Sequence, residues 1–213
     1  NPVVKRSIEG ELASVGTTVT GTPTKIEAGF GRVLREIYHK DGLVRFTNSG
    51  LESTLLAVRV ARGHTGKKKV AKFEGHYHGA VGQMLVSYDP GRQSRRSRVP
   101  IPLSDTADVG PETMADTLVL PFNDWEETEG LLHEHRKELA CVIMEPFEEG
   151  VIPAEPAFMT NLRKLTKDLR IPLIFDEVKT GFRVRIGGAS EFYSVTPDLT
   201  CLGKVIGGGL PIG

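Results

Sequence analysis

Three times in its second half the chain builds a short run of almost unbroken apolar residues and ends it on a charged group. Leu139 to Met144 stops at Glu145-Pro146, Ile171 to Phe175 stops at Asp176-Glu177, and Leu199 to Leu202 stops at Gly203-Lys204. Runs this short, rich in branched side chains and bounded by Pro or Gly, read as buried strands rather than helices. Helical patterns lie between them. Asn123-Asp124 caps a segment running to about Lys137 with Trp125, Leu131 and Leu132 inward, and Phe158 to Leu169 is amphipathic. Strands that are apolar on both faces and alternate with helices predict an α/β fold: a mostly parallel sheet with helices on both faces. Such open sheets place ligands beyond the C-terminal ends of their strands, which is where the charged residues fall.

The first half extends the pattern. Lys68 to Phe73 and Thr117 to Leu120 read as further strands, and so does Leu43 to Thr47. Asn48-Ser49-Gly50 is then a turn into a buried helix, Leu51 to Arg62, with Leu55, Leu56, Val58, Val60 and Ala61 inward. Strand, tight Gly turn and helix present free backbone N–H groups and the positive helix end to an anion, although Ser-Gly also serves turns with no ligand. Glu74-Gly75-His76-Tyr77-His78-Gly79 follows a strand. Two histidines at alternate positions invite a metal reading, but no further ligands at metal spacing accompany them. A ring platform able to stack on a flat ligand is the better functional reading, against a plain turn with an exposed Tyr.

The remaining segments are less informative. Val3 to Val15 is a modest amphipathic helix and Gly16 to Pro23 a loop. Thr24 with Glu27 forms a capping box for a helix that buries Ile26, Phe30, Val33, Leu34 and Ile37 and ends near Asp41-Gly42. Asp89 to Glu112 is a long irregular connection; its run from Arg92 to Arg98 reads as solvated loop, and its length allows a lid role. Charge is balanced, 27 basic against 27 acidic residues, which gives no global field for nucleic acid or an anionic membrane. No apolar run approaches the ~18 residues that span a bilayer, and no secretory pattern opens the chain. Cys141 and Cys201 sit within apolar runs, as buried thiols of a reducing compartment do, so the expected location is cytoplasmic. Both ends read as cut.

An acid at one strand end and a lone lysine near the next, with glycines 207 to 209 around that lysine, suits pyridoxal 5'-phosphate (PLP) chemistry. The lysine amine forms a Schiff base, and a carboxylate opposite the pyridine nitrogen keeps the ring an electron sink. The plain alternative makes Asp176 a loop cap and Lys204 a surface amine. A dinucleotide site draws only on the glycines at 207 to 209 and lacks the G-x-G-x-x-G opening, so it is set aside.

Ordered blocks then decide between these. Phe46-Thr47-Asn48-Ser49-Gly50, Phe73 to Gly79, Ile143-Met144-Glu145-Pro146, Ile174 to Arg183 and Thr196 to Gly213 together strongly resemble the class III (ornithine-type) PLP-dependent aminotransferases, with glutamate-1-semialdehyde 2,1-aminomutase and its transaminase-like relatives nearest. The resemblance runs from Pro23 to Gly213. It implies the large domain of the fold type I, aspartate-aminotransferase-like architecture over residues 23–213, incomplete and without its C-terminal domain, after an N-terminal helix and linker over 1–22. It further implies Lys204 as the Schiff-base lysine and Asp176 on the pyridine nitrogen. Val178 and Tyr77 would pack on the two ring faces, and Ser49, Gly50 and the amide of Leu51 would hold the phosphate. His78 and Glu145 would lie near the ring. Leu51 stands where the family usually carries a hydroxyl residue. The expected activity is amino-group transfer of the aminomutase kind through a 1,3-proton shift, or alternatively transfer from an amino acid or amine to a keto acid. A non-catalytic cofactor-binding chain is the reading from another class. The expected partners are an amino acid or amino-aldehyde substrate and a second copy in a homodimer with a shared active site, with no nucleic acid, membrane or metal.

Overall fold

The computed structural model describes residues 1–17, 22–89 and 99–213. The run from Arg92 to Arg98, within the connection whose length allows a lid, lies outside the described residues. The chain divides into two compact units, Asn1–Arg45 and Phe46–Gly213. The division falls inside the stretch expected as one large domain.

In the first unit, α1 (Pro2–Val15) starts at Asn1, whose side chain accepts the Val3 N–H at 2.9 Å. α2 (Lys25–Ile37) opens with the expected capping box: Glu27 N–H donates to Thr24 Oγ1 at 3.1 Å and Thr24 N–H to Glu27 Oε2 at 2.7 Å. The expected burial of its stripe is corrected. Leu34 is buried, Phe30 and Ile37 are half-buried, and Ile26 and Val33 are exposed. Two helices and a short tail have too little surface to enclose an apolar stripe between them.

The expected strand at 43–47 is not formed. Its backbone carries no ladder; Thr47 alone exchanges two backbone hydrogen bonds, both 2.8 Å, with Gly213. A strand needs a neighbour along its length, and here one residue pair supplies it.

The second unit continues with α3 (Gly50–Thr65), β1 (Lys69–Phe73), a 3₁₀ turn (Gly82–Leu85), α4 (Pro111–Ala115), β2 (Thr117–Leu120), α5 (Trp125–His135) and β3 (Leu139–Met144). A two-stranded hairpin follows, β4 (Phe147–Glu148) with β5 (Ile152–Pro153), then α6 (Pro156–Asp168), β6 (Leu173–Asp176), α7 (Gly188–Tyr193), β7 (Leu199–Cys201) and a second 3₁₀ turn (Lys204–Gly207). The five-stranded sheet has the order β2-β1-β3-β6-β7, and every pair is parallel. Alternation along each strand separates two cores. Phe73, Val142, Met144, Leu173 and Phe175 pack with Leu132 of α5 and Phe158, Met159 and Leu162 of α6. Val70, Cys141, Ile143 and Ile174 pack with Ala57, Val58 and Ala61 of α3 on the other face. Val60, expected inward, is exposed because it lies about 200° around the helix from Val58.

One strand residue breaks the apolar pattern. Lys72 in β1 is buried, and its Nζ donates to the Val86 carbonyl at 2.5 Å and toward that of Met84 at 3.4 Å. Burial pulls its pKa down to about 7, against the attraction of Asp105, Glu145 and Glu74.

Candidate active site

The parallel register sets the floor. Met144 pairs with Phe175 and Asp176 with Cys201, so Glu145 and Asp176 emerge at adjacent strand ends. The 74–79 segment following β1 is laced to both. His78 Nδ1–H donates to Asp176 Oδ2 at 2.8 Å, while Asp176 Oδ1 accepts the Val178 N–H at 3.1 Å. Glu145 N–H donates to His76 Nδ1 at 2.9 Å, and Tyr77 N–H donates to Glu145 Oε2 at 2.9 Å. Thr54 of α3 adds a hydroxyl bond to the His78 carbonyl at 2.8 Å.

His76 is therefore no surface imidazole. It is wholly buried against Phe122, ring centroids 4.6 Å apart, and burial keeps its pKa well below the usual histidine value. Accepting at Nδ1 places its proton on Nε2. Tyr77, half-buried, meets the Tyr88 ring edge-on at 5.4 Å.

The wall is built by close backbone approach. A Cβ at Gly50 would stand 2.8 Å from Val178 Cγ2, and one at Gly203 would stand 3.3 Å from both Gly50 Cα and Val178 Cγ1. A side chain at Gly50 would crowd Val178, and one at Gly203 would crowd both Val178 and the start of α3. Lys204 itself sits at φ 49, in the left-handed region where a non-glycine residue is strained.

Floor and wall enclose an open cleft of about 160 Å³ lined by Gly50, Leu51, Tyr77, His78, Gly79, Glu145, Asp176, Val178, Lys179 and Lys204. Of the residues singled out from the sequence, all but Ser49 line it. Ser49 is the N-cap of α3, and its hydroxyl accepts the Glu52 N–H at 3.2 Å. Gly50 and Leu51 open the helix, where main-chain N–H groups have no intrahelical acceptor. A larger depression of about 330 Å³, lined by residues including His64, Arg170 and Leu199, lies at the N-terminal ends of β6 and β7. It holds no part of this cluster, and α/β sheets do not place ligands at that end.

Charge inside the cleft is uneven. Burial lowers the pKa of Lys204, with Lys179 and Arg183 repelling its charge and Asp176 opposing the shift. Burial raises that of Glu145, which the attraction of His78, the Lys179 ion pair and the Tyr77 N–H counteract.

Two neighbours of this cluster were given no place by sequence reasoning. Lys179 places its Nζ 2.8 Å from Glu145 Oε1 and 2.9 Å from Glu149 Oε2. Glu177, next to Asp176, turns away from the cleft. Its carboxylate accepts the Thr180 hydroxyl (2.6 Å), the Ala189 N–H (2.8 Å), and the N–H and hydroxyl of Ser190 (both 2.9 Å). An acid directly after a strand-terminal acid was the available signal, because alternation sends the second to the opposite side.

A family model described as aminotransferase class-III matches residues 1–213. The chain belongs to the class-III aminotransferase family. Among curated relatives it is similar to the glutamate-1-semialdehyde 2,1-aminomutase of Thermodesulfovibrio yellowstonii, with 46% identity over 92% of this chain and 45% of that protein. Among solved structures it is similar to an omega-transaminase from Sphaerobacter thermophilus: TM-score 0.92, 38% identity, all of this chain and 48% of that one. A transaminase with PLP bound gives a TM-score of 0.86 at 35% identity, over 97% of this chain and 47% of that one. This class-III chain thus spans about half the length of the curated relatives it matches. Among its described residues no helix is long and apolar enough to cross a membrane.

Proposed function

We propose that this chain carries the cofactor-binding half of a PLP-dependent amino-group transferase of the glutamate-1-semialdehyde 2,1-aminomutase kind. The observation that carries the reading is one cleft in which Asp176, Lys204 and the start of α3 converge. The donor set fits the cofactor. Gly50 and Leu51 offer helix N-terminal amides to a phosphate, with Ser49 shaping that turn rather than lining the cleft. Tyr77 and Val178 offer apolar faces to a ring, and Asp176, steadied by His78 and the Val178 N–H, offers a carboxylate to a ring nitrogen. Lys204 offers the amine for an aldehyde. When bound, PLP supplies the electron sink that labilises the proton on the amine-bearing carbon.

The chain's own residues do the rest. Lys204, whose proton affinity is reduced by burial and neighbouring cations, takes and returns a proton at Nζ. Asp176, 4% exposed, stays out of reach of bulk water. Glu145 holds the Tyr77 backbone in place.

A transaminase that releases a keto product is the second reading, favoured by the high similarity to the Sphaerobacter omega-transaminase. The expected assembly is a homodimer with a shared active site, supported by the exposed Ile26, Val33 and Leu43 of the first unit. The expected location is cytoplasmic, supported by the free, buried Cys141 and Cys201.

The test is spectroscopic and chemical. The protein is mixed with PLP, reduced with borohydride and digested; the modified peptide is expected to contain Lys204. Incubation with glutamate-1-semialdehyde, and separately with an amino acid and a keto acid, distinguishes mutase from transaminase. Cofactor capture without turnover of either pair would leave a binding protein and overturn the enzymatic reading.

A further inference from the structure

The rim of the cleft carries a cation to which the reading above gives no task. Lys179 lies three residues beyond Asp176, lines the cleft beside Lys204, and holds its ammonium 5.7 Å from the centroid of the Tyr77 ring. Its two carboxylate partners differ in kind. Glu145 is fixed: its side chain is 3% exposed and its second oxygen accepts the Tyr77 N–H. Glu149 is not. It sits at the tip of the β4–β5 hairpin, its side chain 49% exposed, on backbone that turns through φ 54 and then φ 76 at Gly150. An ion pair in such solvent contact is weak and readily exchanged. A carboxylate arriving on a ligand can replace it at almost no electrostatic cost, because the ammonium keeps two negative neighbours throughout. Glu149, once released, returns to water.

We propose that Lys179 is the receptor for a carboxylate carried by the substrate, and that Glu149 holds its place in the free protein. A substrate of the proposed function already carries a carboxylate apart from its reacting amine; the inference is which residue receives it, and that this residue favours such acids over simple amines of the same length. The inference rests on the amino-transfer reading for what happens to the amine, but its geometry is that of the Glu145–Lys179–Glu149 chain alone. Without Lys179, the floor beneath an entering carboxylate would be Glu145 and Asp176, two acids that repel it. The ammonium turns that repulsion into a docking point, and a charge-assisted bond of this kind also fixes the orientation of the ligand.

Two measurements on the cofactor-loaded protein test this in the wild type, Lys179→Met, Lys179→Arg and Glu149→Gln. The first is calorimetric titration with succinate, which carries carboxylates but no amine to react. Succinate Kd is expected to rise about tenfold or more in Lys179→Met, to stay within about threefold in Lys179→Arg, and to fall in Glu149→Gln as competition is removed. The second compares kcat/KM for donors differing only by carboxylate against methyl: β-alanine with propylamine, and 4-aminobutanoate with butylamine. The preference for the acid is expected to shrink about tenfold in Lys179→Met and to grow in Glu149→Gln. Succinate binding that is absent, or unchanged in both Lys179→Met and Glu149→Gln, overturns the inference. Should Lys179→Met not fold, an unchanged succinate Kd in Glu149→Gln overturns it alone. Lys179-dependent succinate binding with no amine turnover sinks the amino-transfer reading instead, whereas turnover with an unaltered acid preference sinks only the role given to Lys179.

Discussion

Asp176 and Lys204 face one cleft from supports of opposite character. Asp176 ends β6, is paired with Cys201 across the sheet, and has both carboxylate oxygens hydrogen-bonded within the protein. Lys204 stands exposed at the head of a 3₁₀ turn, in left-handed backbone, between Gly203 and the glycines 207 to 209. The acid belongs to the most buried part of the sheet and the amine to one of the least tied. A carboxylate that has only to hold charge gains from rigidity, whereas an amine that has to change partners and protonation gains from a support that can yield.

The strongest way to break this contrast is Lys204→Ala. Amino transfer is expected to fall by about 10³-fold or more, with the thermal midpoint almost unmoved because the side chain is solvent-exposed. A large drop in the midpoint measured by calorimetry would show the wall to be as structural as the floor. Next comes Glu177→Gln on the floor side. It sets an amide against donors that now meet a carboxylate and is expected to cost about 2–4 kcal/mol in urea unfolding.

Lys72→Met sharpens the contrast through pH. The folded-state pKa of Lys72 is about 7 and its ordinary value 10.5, so between those limits the unfolded chain binds more protons. Its contribution to stability therefore rises with pH across that window, by at most about 1.4 kcal/mol per pH unit. Unfolding measured from pH 7 to 10 is expected to lose that slope in Lys72→Met. The smallest effect is Ser49→Ala, which removes the cap of α3 and is expected to cost about 1 kcal/mol by thermal unfolding.

The sheet was legible because its strands announce themselves. Residues 139–144 and 173–175 are apolar on both faces, and no helix of such length would leave those flanks. Most of the cleft followed, since strand C-termini and the α3 turn deliver Asp176, Glu145 and Gly50 together. What stayed hidden depends on where the chain returns to itself. The segment 43–47 has the composition of a strand but only one paired residue. His76 is polar in sequence yet buried; the Glu145 N–H meets its Nδ1, while its Nε2 has no hydrogen-bond partner among the described residues. Lys72 is an ordinary surface residue on paper, and its carbonyl partners 12 and 14 residues on come from the turn near Met84. Lys179 reads as one charge in a loop, because its pairing with Glu149 requires the short β4–β5 hairpin that no periodicity betrays.

The opposite fates of Asp176 and Glu177 carry one more consequence. Which of two neighbouring acids looks into the cleft is settled by the alignment of β6 against β3, Leu173 on Val142 and Phe175 on Met144. A one-residue slip along β6 would aim the longer acid at the ligand and strip the 188–190 backbone of its acceptor, with hardly a change in composition. The charge offered to a bound molecule is thus written first in strand alignment, and only afterwards in the choice between aspartate and glutamate.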